Sequence, residues 1–308
     1  MKSKIRFWLT SFCIHCIFSI QSQEIQYVTI RGDFENLPQT GGHLQGVQIF
    51  ESKQKEYIAV SGSSDSYAYY FVAEKTQDSI FELKYIRKIW DKPMKHAGGF
   101  QVAHSFLVVG VEDNEKKDSS LLVIYDISEP GISDIEPIKV VERGSKYKES
   151  TAGAAGAFVQ DDTLICLVAS WDAITVDRID FVLNPQHDSI IKTVQRNSIV
   201  MKEIERFNEK MVWRPYQNLN LFLQKNEERL AIGTACVEGI QVIDWFTLSD
   251  EKGNGMHLNW IKKNQIFLKH ESLRYGGGIM QVNDSFYVIA TPEHTDSKQV
   301  KVAIVKIK

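Results

Sequence analysis

The 308-residue chain has little of what marks several common classes of protein. Its four cysteines and seven prolines are too few for a disulfide-stapled miniprotein or a proline-rich disordered segment. The charges almost balance, since 36 Lys and Arg face 39 Asp and Glu, and a formal net charge of -3 gives no electrostatic basis for binding nucleic acid. With 43% hydrophobic and 24% charged residues, the composition is that of a globular protein with a full core.

The first 22 residues have the pattern of a secretory signal peptide. Basic Lys2, Lys4 and Arg6 precede an apolar stretch over residues 7–20, and small Ser22 ends the segment. The apolar stretch is too short for a typical membrane span, although a transmembrane anchor is the alternative interpretation. We therefore expect cleavage near Ser22, a secreted or periplasmic product and no stable membrane insertion afterwards.

Only Cys166 and Cys236 remain after that cleavage, each within an apolar, strand-like run. Two cysteines form neither a disulfide framework nor a zinc motif. We expect both to be buried and free, with a single disulfide as the alternative in an oxidising compartment.

The most informative feature is an internal repeat in which a short, mostly glycine-rich apolar segment precedes a second apolar strand. The equivalent positions Gly46, Gly99, Gly156, Asn220 and Gly278 are spaced by 53, 57, 64 and 58 residues. This spacing fits four strands and their loops, and alternating, β-branched sequence dominates throughout. The chain is therefore predicted to be all-β.

Four-stranded units repeated in this way resemble the blades of a β-propeller. The resemblance implies one domain over residues 23–308 with five blades, the last of which supplies three strands and receives its fourth from Glu24 to Arg31. The connection over residues 184–216 is longer than its equivalents, which predicts an insertion with a short helix or hairpin. Crowding of the innermost strands explains the glycines, and Gln48 and Gln101 are expected to bond backbone groups of neighbouring blades.

Propeller geometry also predicts where a site would lie. In each blade the start of the first strand and the end of the second share one face near the axis, so polar residues at these positions converge on one mouth. Because they differ from repeat to repeat, we expect one asymmetric site. The candidate catalytic residues are Glu112, Glu293 and Asp172, and the candidate ligand-binding residues are His43, His96, Asp113, Trp171, Gln217, Glu238, Tyr275 and His294.

Three functions remain open at this stage. The first is binding of an extracellular carbohydrate or peptide, with Trp171 and Tyr275 stacking on the ligand. The second is a glycan hydrolase or lyase, in which Glu112 and Glu293 are acid and base, His96 orients them and Asp172 is a third carboxylate. The third is a protein-interaction scaffold. Histidines and carboxylates together also suit a divalent cation such as calcium, whereas no HExxH, GxSxG or Walker sequence is present.

Overall fold

The protein is seen in a computed structural model that describes residues 24–35, 37, 42–144, 151–186, 189–200, 213–251 and 255–307. Its described regular structure is β-strand apart from one 3-10 turn at Trp171–Ala173, so the all-β prediction is confirmed. The proposed signal peptide lies outside the described residues. Among the residues that are described, no helix is long and apolar enough to cross a membrane.

The described strands fall into an N-terminal strand, four successive groups of four strands and a final three-stranded segment. The bounds are β1 (Ile25–Arg31), β2 (Leu44–Ser52), β3 (Lys55–Gly62), β4 (Tyr67–Gln77), β5 (Ile80–Asp91), β6 (His96–Ala103), β7 (Phe106–Glu112), β8 (Ser120–Asp126), β9 (Lys139–Arg143), β10 (Ala154–Gln160), β11 (Thr163–Ala169), β12 (Thr175–Leu183), β13 (Ile190–Val200), β14 (Asn218–Leu223), β15 (Arg229–Val237), β16 (Ile240–Glu251), β17 (Gly255–Ile266), β18 (Gly276–Val282), β19 (Ser285–Thr291) and β20 (Gln299–Lys306).

Within each group, consecutive strands pair antiparallel. Strands β18 to β20 do the same, and β1 pairs antiparallel with β20 from Ile25 opposite Val305 to Arg31 opposite Gln299. The two ends of the chain thereby make a fifth group of four strands in the described structure. We number the groups 1 (β2–β5), 2 (β6–β9), 3 (β10–β13), 4 (β14–β17) and 5 (β18–β20 with β1).

The first strands of these groups contact one another in the cyclic order β2, β6, β10, β14, β18 and back to β2. Their approach is close enough to exclude side chains: a Cβ atom on Gly278 would lie 1.8 Å from the carbonyl oxygen of Val47, and one on Gly156 would lie 2.1 Å from that of Leu219. Glycine at these positions is a packing requirement.

Two buried glutamines join the first strands of different groups. Nε2 of Gln48 donates to Ile279 O at 3.2 Å. Nε2 of Gln101 donates to Leu221 O at 2.7 Å, and its Oε1 accepts from the amides of Leu221 and Ala157. The prediction that Gln48 and Gln101 bond backbone groups of neighbouring units is confirmed by the bonds to Ile279 and Ala157, whereas Leu221 belongs to group 4, which is not next to group 2 in the cyclic order.

The hydrophobic core is divided into layers between neighbouring groups. Phe106 of β7 and Phe181 of β12 belong to one buried cluster between groups 2 and 3, and Leu219 of β14 joins Phe158 of β10 in the cluster between groups 3 and 4. Alternate side chains of a strand point to opposite faces, so each sheet supplies two of these layers. Burial of this apolar surface stabilises the packing of each group against its neighbour.

The long connection predicted over residues 184–216 contributes a strand of group 3. Residues 190–200 form β13, which pairs antiparallel with β12. Residues 187, 188 and 201–212 of the predicted insertion lie outside the described residues.

Candidate functional site

A pocket of about 620 Å³ opens where the first strands begin and several second strands end. All five groups contribute to its wall, and eight of the eleven residues predicted from the sequence line it. These eight are His43, His96, Trp171, Asp172, Gln217, Glu238, Tyr275 and Glu293. The others on the wall are Gln45, Pro215, Cys236, Gly239 and Arg274.

The imidazoles of His43 and His96 meet the carboxamide of Gln45 on the pocket wall. Strand β2 carries one extra residue between Leu44 and Val47 relative to β3, and this bulge contains Gln45. Nε2 of Gln45 lies 2.8 Å from Nε2 of His96 and 3.2 Å from Nε2 of His43. Nδ1 of His43 lies 3.1 Å from Leu44 O and 3.0 Å from Nε2 of Gln45. With its proton on Nδ1, His43 donates to the carbonyl oxygen, and its Nε2 is the acceptor for the carboxamide.

The environment of His43 disfavours its protonated form. Burial is the largest influence and lowers the pKa of His43, and the nearby His96 lowers it further. The bond to Leu44 O and the charge of Glu293 act in the opposite direction but do not overcome the burial. His43 is therefore neutral near pH 7.

Glu112 lies behind His96, and it is not among the lining residues. Its side chain is fully buried; Oε1 lies 3.0 Å from Nδ1 of His96, although no linear hydrogen bond joins the two atoms, and Oε2 accepts from Ala152 N at 2.7 Å. A proton on Nδ1 of His96 faces this carboxylate, which leaves Nε2 to accept from Gln45. Glu112 therefore contacts the imidazole of His96 and does not line the pocket.

A row of four aromatic rings follows the pocket wall. Ring centroids are 5.2 Å apart for Tyr275 and His43, 5.8 Å for His43 and His96, and 5.7 Å for His96 and Trp171. At the two ends of the row a cation lies near a ring: Lys117 Nζ is 4.1 Å from the Trp171 centroid, and the Arg274 guanidinium carbon is 5.7 Å from that of Tyr275. The row offers flat, electron-rich surface beside polar groups.

Three carboxylates, Asp172, Glu238 and Glu293, line the same pocket, and all three residues are exposed. Glu238 and Gly239 form the two-residue turn between β15 and β16, with φ of 51° and 81°, as a type I′ hairpin requires. Asp172 also has a positive φ, 53°. The local backbone conformation therefore sets the direction in which the side chains of Glu238 and Asp172 project.

The turn that carries Trp171 and Asp172 is held from both sides. Trp171 N donates to Thr151 Oγ1 at 2.6 Å, and Trp213 Nε1 donates to the carbonyl oxygen of Ala173 at 2.6 Å. Ala173 has φ of 52°, an uncommon conformation for alanine. A backbone conformation as uncommon as that of Ala173 is kept where surrounding contacts hold it, and the hydrogen bonds from Trp171 N and Trp213 Nε1 are such contacts.

Three predicted residues, Glu112, Asp113 and His294, are not on the pocket wall. Asp113 is 3% exposed, and its Oδ1 accepts from the amides of Glu115 and Lys116, so it orders its own loop. His294 is exposed beside the pocket, with Nε2 3.6 Å from Glu293 Oε1.

Sequence reasoning missed Gln45, Cys236 and Arg274. Gln45 lies in the bulge of β2, which interrupts the alternation that would have indicated its position. Arg274 adjoins Tyr275, which was predicted.

The two cysteines of the described chain are free. Cys166 is buried as expected, but Cys236 is partly exposed on the pocket wall, so the prediction that both are buried is wrong for Cys236. In the part of the chain that the structure describes, no three His, Cys, Asp or Glu side chains gather in a way that could hold a metal ion.

The chain matches no protein-family model and no curated protein in sequence. In structure it is similar to a GH43 beta-xylosidase/alpha-arabinofuranosidase from a compost microbial metagenome, seen with xylotriose in calcium-free form; the identity is 9%, the TM-score 0.50, and the match covers 87% of this chain and 92% of that one. A GH43_1 enzyme from Xanthomonas citri with xylose gives 9% identity, a TM-score of 0.50 and coverages of 87% and 88%. At these identities the likeness concerns the fold alone, which is propeller-like.

Proposed function

We propose that the five groups are the blades of a five-bladed β-propeller, forming one domain from residue 23 onward. The support is the cyclic order in which the first strands contact one another. Strand β1 completes the last blade through its ladder with β20, which joins the two ends of the chain. Deletion of residues 24–31 is expected to leave β20 paired with β19 alone and to lower the unfolding midpoint sharply.

The pocket on the propeller axis binds an oligosaccharide. The row of rings from Tyr275 to Trp171, which borders exposed carboxylates, carries this proposal. A sugar presents an apolar C–H face that stacks on an aromatic ring, and its hydroxyl groups donate to carboxylate oxygens. The polar residues differ between blades, so one asymmetric site is expected and not five equivalent ones.

Binding is tested by thermal unfolding of the protein with hexasaccharides of xylose, glucose, mannose and N-acetylglucosamine. A ligand at about 100 times its Kd adds roughly 2.7 kcal/mol to the free energy of unfolding. Trp171→Ala and Tyr275→Ala should abolish the response. Trp90→Ala is the matched control, because Trp90 is 38% exposed and is not a lining residue of the pocket. If no hexasaccharide raises the unfolding temperature, the proposal is wrong.

Glycoside hydrolysis is the second candidate, and the presence of three carboxylates in one pocket favours it. In that chemistry one carboxylic acid protonates the leaving oxygen, and a second carboxylate is nucleophile or general base. Since Glu112 is buried behind His96, the candidate pair comes from Asp172, Glu238 and Glu293. A general acid of this kind is usually desolvated, whereas these three residues are exposed, and for this reason binding is the primary proposal.

Hydrolysis is tested by incubating each hexasaccharide with the protein and measuring the shorter products. Because two of the three carboxylates form the pair, at least two of the variants Asp172→Asn, Glu238→Gln and Glu293→Gln should remove the activity. Cleavage that all three variants retain would contradict the second candidate.

We also propose that the protein is exported and cleaved near Ser22. The support is the basic, apolar and small-residue order of residues 1–22. N-terminal sequencing of the protein recovered outside the cytoplasm should begin near Gln23, and an intact Met1 in that fraction would contradict the proposal.

A further inference from the structure

The exposed charges on the pocket wall are mostly negative and lack partners. Among the described residues, the carboxylates of Asp172 and Glu238 make no ion pair or hydrogen bond. Glu293 has His294 at 3.6 Å, and its charge raises the pKa of His43. Of the lining residues, Arg274 alone carries a permanent positive charge. Three carboxylates against one guanidinium leave the wall with an excess of negative charge.

The neighbouring cations do not neutralise these carboxylates. Arg274 lies over the ring of Tyr275, and Lys117 lies over the ring of Trp171. Both pocket aromatics therefore already have a cation beside them, so the rings are placed to interact with positive charge. A ligand that stacks a cation of its own on these rings would take the place of Lys117 and Arg274.

A buried polar group in the same pocket is also incomplete. Gln45 is 1% exposed and belongs to the lining residues. Its Nε2 is used by the two imidazoles, while Oε1 has no partner among the described residues. A buried acceptor without a donor is unfavourable, so a rotation of the carboxamide that brings Oε1 to a donor in the pocket would stabilise it.

We propose that the oligosaccharide bound in this pocket carries protonated amino groups, as in a polymer of glucosamine. This inference rests on the proposed binding function and names its ligand class. An ammonium group supplies donors and positive charge to a wall rich in acceptors, and its C–H neighbours stack on the Trp171 and Tyr275 rings. A neutral sugar would leave the carboxylate charges unpaired, and an acidic sugar would be repelled by them.

Calorimetric titration of the full protein at about pH 6 with three β-1,4-linked hexasaccharides tests the proposal. The glucosamine, N-acetylglucosamine and glucose hexamers share one backbone and differ at C2, which carries an ammonium, an acetamido or a hydroxyl group. The glucosamine hexamer is expected to bind at least about tenfold more tightly than either neutral hexamer, a difference typical of a partly shielded charge pair. Raising the salt concentration should weaken only the binding of the glucosamine hexamer.

Single variants separate charge from shape. Glu238→Gln should weaken the glucosamine hexamer about fivefold and leave the glucose hexamer within about twofold, in proportion to the loss of one charge contact. Arg274→Gln should strengthen the glucosamine hexamer by removing a like charge. Glu227→Gln is the control, since Glu227 is an exposed carboxylate that is not among the lining residues.

Each outcome distinguishes this inference from the function on which it rests. Equal affinity for the three hexamers would keep oligosaccharide binding and overturn the amino-sugar assignment, as would tighter binding of a galacturonate hexamer. Equal affinity for a lysine hexapeptide would indicate a site that recognises charge alone, which also overturns it. If none of the saccharides binds, both proposals are wrong.

Discussion

Nδ1 of His96 lies 3.0 Å from Oε1 of Glu112, and the two residues stand opposite each other in the ladder between β6 and β7. The carboxylate is fully buried, and Nε2 of the imidazole meets the carboxamide of Gln45 at 2.8 Å. Gln45 in turn bonds His43. A polar chain thus runs from the packed interior between groups 2 and 3 to the pocket wall, and the direction of its hydrogen bonds depends on which nitrogen of His96 is protonated.

Glu112→Gln should therefore disturb the pocket without changing any lining residue. The carboxamide would keep an acceptor for Ala152 N but would present an N–H to Nδ1 of His96, which favours the opposite tautomer and conflicts with the donor from Gln45. We expect a loss of about 1–3 kcal/mol in the free energy of unfolding by urea, together with weaker oligosaccharide binding. Glu227→Gln, an exposed carboxylate that is not among the lining residues of the pocket, is the control. Unchanged stability and binding in Glu112→Gln would contradict this interpretation.

The lowered pKa of His43 predicts a specific dependence of stability on pH. In the unfolded chain this imidazole takes up a proton as the pH falls through about 6.5, whereas in the folded protein burial delays that step to lower pH. The unfolded state then binds more protons, so the contribution of His43 is present above about pH 6.5 and is lost as the pH falls from there to the folded-state pKa. Urea unfolding between about pH 5 and 8 should show a shallower acid-side slope in His43→Gln than in the unsubstituted protein. Parallel slopes would contradict the prediction.

The repeat in the sequence was sufficient to predict strands, their grouping and most of the pocket wall. Alternating apolar and polar residues define the two faces of each strand. In any unit of this kind, the first strand begins and the second strand ends on the same side of the fold. The same rule placed Glu112 at the mouth, where the structure does not put it. The sequence does not show that β7 remains paired with β6 as far as Glu112, which lies opposite His96. Glu238 occupies the comparable position in group 4 but follows the last pair of its ladder, and it reaches the pocket.

Gln45 was missed for a related reason. The extra residue in β2 between Leu44 and Val47 interrupts the alternation, and a similar one lies between Ala97 and Phe100 of β6. A shift of one residue exchanges the two faces of a strand, so a bulge changes which side chains face the pocket without any clear sign in the sequence. The hydrogen bonds of Trp213 and Thr151 to the Trp171 turn are likewise long-range contacts that no local pattern indicates.

Trp213→Phe tests whether the Trp171 turn is set by its indole donor. The phenyl ring retains packing against Tyr216 and Phe246 but cannot donate to Ala173 O. We expect a loss of about 1 kcal/mol in the free energy of unfolding and several-fold weaker binding of the tightest hexasaccharide, because Trp171 and Asp172 are no longer held. The matched control is Trp260→Phe, which removes an indole donor to Asp244 that is not in the turn. Equal losses of affinity in both variants would show that the Trp213 bond has no special connection to the pocket.

Gly278→Ala measures how closely the first strands must approach around the axis. The added Cβ atom would lie 1.8 Å from Val47 O and 2.7 Å from Nε2 of Gln48, and backbone oxygen cannot yield as a flexible side chain would. Strands β18 and β2 would have to separate, which opens the contact between groups 5 and 1 and weakens the cluster that contains Val47 and Ile289. We expect a loss of about 3 kcal/mol in the free energy of unfolding, at the upper end of overpacking effects. Gly131→Ala is the matched control, because nothing lies within 4 Å of its added Cβ and the smaller entropy of the unfolded chain should leave stability equal or slightly higher. If urea unfolding gave the two variants the same midpoint, close approach of β18 and β2 would not be what requires glycine at position 278.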